Sequence, residues 1–450
     1  MRRTLGRLVA LIILCAAGRA SAIPAFARKY HTSCETCHTI YPKLTPFGEA
    51  FRRNGFRFPG HDSDFVKDEP IPLGQEAYKD VFPDAVWPGT LPPSVPLAFG
   101  FDGNARVHPD RSVGAAIADN GARFTLAELI AEAHLWAGGS FDDTTTFFGE
   151  VTVSSDGGVE LEDAEVHFND LIGPPHLVNL TAGKSIPSLT SFGPHSTYIA
   201  DTAMPTIPVT ALWGAQSESF APGATQNEVE LGGTYDGRLD YAIGITSGAN
   251  VDVRNSENVY AHAGVKLGGA RLDGEGGSTD LDHEHALTLD VFAVRARSRF
   301  ITSASDTQDD VAHAIGGHAR AQWEIWELDA GLYYEHDNHA LVDGTAASAI
   351  VQWDELSWLA YPWLAVAGRL EFVRLAPDEG GAVSDLRIVP GVAALVRPNL
   401  KLTLTIPIER AHGAPSGGWA PGGGAAIPSS ASATAGPEVE SIAFGLWCAF

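Results

Sequence analysis

Val229-Glu230-Leu231-Gly232-Gly233-Thr234-Tyr235-Asp236-Gly237-Arg238-Leu239-Asp240-Tyr241-Ala242-Ile243-Gly244-Ile245 is two alternating runs joined at Asp236-Gly237. Apolar residues recur at every second position on both sides of a dipeptide favoured in tight β-turns, so the stretch predicts an antiparallel hairpin. The same texture begins near residue 97. Leu97, Phe99, Phe101, Ala105 and Val107 alternate with Ala98, Gly100, Asp102, Asn104 and Arg106, and Val259, Ala261, Ala263, Val265 and Leu267 alternate with Tyr260, His262, Gly264 and Lys266. Alternation over many short runs divided by Gly, Asp, Asn, Ser and Pro points to an all-β, antiparallel architecture.

Such strands suit a soluble sandwich or a barrel in lipid. Two features favour the barrel. Glu128, Glu132, Glu150, Glu165, His167, Arg320 and Glu324 interrupt strand-like runs, which is costly in a dry core and natural in a wet lumen. The chain also ends Ile442-Ala443-Phe444-Gly445-Leu446-Trp447-Cys448-Ala449-Phe450, which resembles the closing strand of bacterial outer-membrane barrels. Roughly 355 residues at about 20 to 24 per strand and connection gives about 16 strands. Trp136, Trp323, Trp326, Tyr333, Tyr334, Trp358 and Trp363 near run ends suit the interfacial girdles. Residues 185 to 227, rich in proline, suit a loop folded into the barrel or over its mouth, and residues 413 to 436 an extended outer loop.

The 450 residues carry 30 basic against 55 acidic side chains, a formal charge of -25, which disfavours a nucleic-acid partner and favours cations. Arg2, Arg3 and Arg7 precede the apolar run Leu8 to Ala17 and then Ala20-Ser21-Ala22, the pattern of a Sec-type signal peptide cleaved near Ala22. The apolar run is about half the length of a membrane-spanning helix. The expected organisation is a signal peptide at 1–22, a helical segment at 23–60, a proline-rich linker at 61–96 and a barrel at 97–450.

The helical segment holds the one sharp chemical motif, Cys34-Glu35-Thr36-Cys37-His38. Two thiols at C-x-x-C spacing add to the two vinyl groups of one haem, and the next histidine is placed to bind its iron. A redox disulfide would want a βαβ context, and a zinc site a second Cys/His pair; neither is present in the sequence. One covalent haem c is therefore expected, attached at Cys34 and Cys37 with His38 as axial ligand. Arg28, Lys29, Lys43 and Arg52 are candidates for its propionates, with Phe47 and Phe51 packing on the macrocycle. Met204 and His31 are the numbered candidates for a sixth ligand, beside a lumen histidine, water or an open position. No catalytic residue is evident.

A single C-x-x-C-H flanked by Pro24-Ala25-Phe26-Ala27-Arg28 and by Pro42-Lys43-Leu44-Thr45-Pro46-Phe47-Gly48-Glu49-Ala50-Phe51, ahead of a barrel, resembles the fused monohaem cytochrome c-porins of bacterial outer membranes. The resemblance implies residence in the outer membrane of a Gram-negative-type bacterium. It also implies electron transfer from extracellular Fe(II) to a periplasmic carrier, an Fe(II) oxidase activity. The alternatives are a diffusion porin whose haem segment plugs or senses, a conduit for another donor or running outward, and a soluble cytochrome fused to a β-sandwich.

Overall fold

The computed structural model describes residues 25–58, 62–67, 79–83, 97–107, 124–125, 129–194, 196–200, 204, 222–247, 257–274, 284–303, 306–339, 346–378, 382–412, 438–439 and 441–450. The expected signal peptide, most of the linker and the Gly-rich stretch 413–436 lie outside them, as does Glu128. Among the described residues, nineteen strand segments form one antiparallel sheet whose order around the wall follows the sequence. Three short segments complete neighbouring strands, so the wall has sixteen strands. Phe124–Thr125 sits beside the outer part of Leu97–Val107, whose other half pairs with Glu132–Ser140. Leu400–Thr405 and Ile408–His412 both pair with Val383–Arg397, and Glu438–Val439 pairs with the second of these.

Closure is made by Ile442–Ala449, which pairs with Leu400–Thr405 on one side and with Leu97–Val107 on the other, from Gly100↔Ala449 to Val107↔Ile442. Phe450 and Phe99 exchange both backbone hydrogen bonds, each 2.7 Å. The terminal aromatic thus locks the seam, as the sequence anticipates. At the quoted hairpin, Asp236 and Gly237 both adopt positive φ, 51° and 58°, between Tyr235 and Leu239.

The polarity of the wall is that of a membrane barrel, and it excludes the sandwich. Val259, Leu267, Leu289, Val291, Ile315, Leu332 and Leu356 point outward and are exposed, whereas His262, Lys266, Asp290, His318, Arg320, Asp329 and Glu355 point inward and are buried. An exposed apolar band of this extent needs lipid against it. No described helix is long and apolar enough to cross a membrane. Trp323, Trp326, Trp358, Tyr361 and Trp363 gather at the end carrying Leu97 and Phe450, with Trp326 on Trp358 and Tyr361 on Trp363 in stacked pairs. Three expected girdle members do not join them, and of these Tyr334 faces outward near the far end of Trp326–Asp337. Tyr333 is buried inside against Trp353, and Trp136 stacks on His134 in the lumen. Glu324 occupies a tight turn at φ 52° rather than the lumen.

The lumen is filled from both ends. The N-terminal segment, with helices Ala25–Tyr30, Pro46–Arg53 and Asp62–Phe65, lies inside the end that carries the short turns. Arg57 donates to Asp143 O and Asp170, Arg53 to Leu272 O, and Asn54 to Asp273 O, all on turns at that end. From the other end, residues 186–194 and 196–200 reach down to meet it. Ser191 Oγ donates to Asp290 Oδ1 at 2.5 Å, and Tyr198 N to Glu355 Oε1 at 3.1 Å. Lys43, 2 % exposed, ties the three parts together through Ser196 O and Glu327 Oε1.

Removing one partner of a buried ion pair costs roughly 3 to 5 kcal/mol. Lys43→Met is expected to cost near the lower end of that range, because Glu327 keeps Arg320 at 2.9 Å. Chemical unfolding and tryptic release of the N-terminal segment in intact barrels check it. On the wall, Val291→Arg places a cation against lipid and is expected to cost about 2 to 4 kcal/mol, read as a lower denaturant midpoint in detergent or lipid.

Candidate functional site in the barrel lumen

The C-x-x-C-H residues form a tight turn because Cys37 N and His38 N both donate to Cys34 O, at 3.2 and 2.9 Å. Thr45 straps this turn to the following helix. Its amide donates to Cys37 O at 2.9 Å, its hydroxyl to Thr36 O at 3.0 Å, and the same oxygen caps the helix by accepting from Gly48 N. Pro46 opens the helix at a position that needs no amide hydrogen. Gly48 lies so close beneath the turn that a Cβ there would stand 2.1 Å from Cys37 O. The flanking block Thr45-Pro46-Phe47-Gly48 thus holds the motif's backbone.

Cys34 and Cys37 stand as thiols, and burial pushes the Cys37 thiol up to about 12 and raises that of Cys34. Neutral thiols of this kind do not suit a reactive redox pair, which needs a stabilised thiolate. His38 Nδ1 lies 3.0 Å from Pro42 O, so that nitrogen donates and the lone pair of the neutral ring sits on Nε2. This is the outer hydrogen bond that commonly orients a metal-binding imidazole.

Cys34, Cys37 and His38 open onto a partly open cavity of about 740 Å³ between the N-terminal segment and the wall. Phe26, Phe51, Phe56 and Tyr41 form its inner side, and Trp136, Phe148 and Trp447 belong to the wall opposite. Phe56 stacks on Phe148 at 4.4 Å, joining segment to wall. A series of rings leads from the motif to the barrel: His38 to Tyr41 at 4.7 Å, Tyr41 stacked on Trp447 at 3.4 Å, Trp447 to Trp136 at 6.1 Å, and Trp136 stacked on His134 at 5.2 Å.

Of the expected propionate and packing residues, Arg52 and Phe51 border the cavity. Arg28 donates to Leu97 O, Lys29 pairs with Asp62 at 2.7 Å, Lys43 pairs with Glu327, and Phe47 packs on Phe58 at 5.1 Å; none of these four lines it. They fasten the segment instead. His31 is exposed at φ 50° and Met204 packs against the apolar cluster around Tyr333 and Trp353, so neither borders the cavity. The cavity histidines are His134, His167 and His262, carried on wall strands. Their parity on the strands was readable in the sequence; their convergence on one space was not.

The acidic run Glu160, Glu162, Asp163 and Glu165 also faces this cavity. A register shift pairs Glu150 with Asp163 but Val151 with Leu161, leaving Glu162 as the extra residue of a bulge. The bulge lets neighbours 162 and 163 both turn inward.

No protein-family model and no curated protein matches the chain. Among solved structures, it resembles OmpT, an outer membrane protein of Vibrio cholerae. The TM-score is 0.50 at 12% identity, over 82% of this chain and 98% of that one. An anion-selective porin from Comamonas acidovorans gives 0.51 at 10% identity, over 79% and 99%. The shared feature is the porin fold.

The residues present fit a covalent haem: two cysteines at C-x-x-C spacing, an oriented imidazole, aromatic walls and a cation at Arg52 around one cavity of ligand size. Gly48→Ala is expected to displace Cys37 and its turn from the helix and speed tryptic release of the N-terminal segment at least several-fold, with the barrel still folding. Limited proteolysis beside heat-modifiable migration checks both.

Proposed function

We propose that this chain is an outer-membrane electron-transfer protein, in which a porin-like barrel holds a c-type haem on Cys34, Cys37 and His38 and passes electrons from extracellular Fe(II) to a periplasmic carrier. The observation that carries the reading is the position of the C-x-x-C-H turn inside the barrel, bordering the cavity. Bound there, a haem supplies a one-electron redox couple. A single centre at either surface would face about 30 Å of hydrocarbon, whereas a barrel that carries the motif within its lumen shortens the gap on both sides.

The chain's own residues support the parts of this role. His38 offers Nε2, oriented through Pro42 O, and Arg52 offers a cation at the cavity edge. Phe51, Phe56 and Phe148 exclude water from one side. The carboxylates at 160 to 165 draw divalent cations inward rather than anions. Export through the signal at 1–22 supplies the compartment in which C-x-x-C-H attachment takes place. Fe(II) as donor follows from the resemblance of the N-terminal block to the cytochrome-porins.

The rival reading is a diffusion porin with a haem plug, favoured by the fold shared with porins. Two elements oppose it, because the N-terminal segment and residues 186–194 and 196–200 meet across the lumen at Lys43 and Ser196. An anaerobic visible spectrum of detergent-extracted protein before and after Fe(II), with dithionite as reference, tests the proposal. The expected result is a haem band reduced by Fe(II), and loss of covalent haem in Cys34→Ser/Cys37→Ser. A chain without haem overturns the proposal; a haem reduced by dithionite and not by Fe(II) overturns iron as the donor.

A further inference from the structure

We propose that Asp102, Glu132 and His134 form a divalent transition-metal site on the inner wall of the barrel. Strand pairing sets Asp102 directly opposite Glu132, and His134 follows two residues on, so all three project into the lumen. One donor atom from each lies within 4.8 Å of the others.

The histidine is prepared for a metal. Its Nδ1 lies 2.7 Å from Glu150 Oε1 and 3.2 Å from Thr152 Oγ1, so Nδ1 carries the proton that Glu150 accepts. The residue is 9 % exposed, and Nε2 is buried with no hydrogen-bond partner among the described residues. Asp102 Oδ2 stands 3.8 Å from that nitrogen, too far for a hydrogen bond but within the adjustment a shared cation would need. A carboxylate holding one nitrogen of an imidazole while the other nitrogen faces the metal's remaining donors is a recurrent outer-shell arrangement at metal sites.

The donor set selects the ion class. One imidazole and two carboxylates suit Mn(II), Fe(II), Co(II) or Zn(II) better than Ca(II) or Mg(II), which take oxygen ligands. Three protein donors leave positions for water, so the ion exchanges rather than staying as a structural cation. His134 is also the wall end of the ring series that leads through Trp136, Trp447 and Tyr41 to His38. As the binding place of the electron donor, the site rests on the function proposed above; as a cation site, it stands on its own geometry.

Mn(II) titration of the full-length protein in detergent, followed by the electron paramagnetic resonance of unbound Mn(II), tests it. The expected result is one Mn(II) bound per chain, with affinity lowered at least tenfold in His134→Ala and in Asp102→Asn and unchanged in the outward-facing Leu135→Ala. Glu132→Gln, the mildest change, repeats the test if His134→Ala lacks heat-modifiable migration. No bound Mn(II), or binding equal in wild type and in folded ligand variants, overturns the site. The haem band of the same samples separates the two proposals: a band with no Mn(II) site overturns the site alone, and a Mn(II) site with no band overturns electron transfer and its donor role, leaving the cation site.

Discussion

The seam between Ile442–Ala449 and Leu97–Val107 is the contact on which the structure depends. In hydrocarbon, an unpaired backbone amide or carbonyl costs several kcal/mol, so a sheet in lipid must have no edge. Pairing eight successive residues across the seam, and fastening Phe450 to Phe99 beyond it, satisfies the first and last strands together. Once the sheet is closed, every strand has an inside and an outside, and the period-2 sequence pattern sorts lipid-facing from lumen-facing side chains without further instruction.

A closed barrel with a polar lumen creates its own difficulty, because buried charges need partners. The chain supplies them from segments outside the wall. Arg53, Arg57 and Lys43 of the N-terminal segment meet Asp240, Asp170 and Glu327, and Ser191 and Tyr198 of the inward loop meet Asp290 and Glu355. Specific pairing of this sort orients a plug more sharply than apolar packing, since each misplacement strands a charge. The Cys34–His38 turn is held at a fixed depth and facing in a fixed direction for the same reason. Basic residues that look like ligands for an acidic cofactor prove to be fasteners, and the cavity face is left to Arg52, Arg53 and the phenylalanines.

The wall contributes to the site as well as enclosing it. Trp447 comes from the closing strand and stacks on Tyr41 of the docked segment, and Trp136, two strands away, packs on Trp447. Glu132 and His134 share the strand of Trp136, and Asp102 lies on Leu97–Val107 between that strand and the one that carries Trp447, so this triad and the ring series share one patch of wall. Positions near the seam thus gather chemistry from both ends of the sequence.

The sequence by itself determined the barrel, its closing strand, the Asp236-Gly237 turn and the C-x-x-C-H motif, because each is written in local period or spacing and needs few distant contacts. It could show that His134, Glu150 and Glu165 lie on strands, and the sense of alternation that turns them inward. Only the tertiary structure decided that they share a cavity with Cys34 and His38, that Lys29 and Lys43 are fasteners, and that Met204 sits in an apolar cluster away from it. It also decided that the bulge at Glu162 brings adjacent carboxylates to one face, and that Tyr333 and Trp136 leave the girdle for the lumen. These facts depend on contacts between residues far apart in the chain, made when the sheet closes around the N-terminal segment, and no local pattern encodes which distant partner a buried charge will meet.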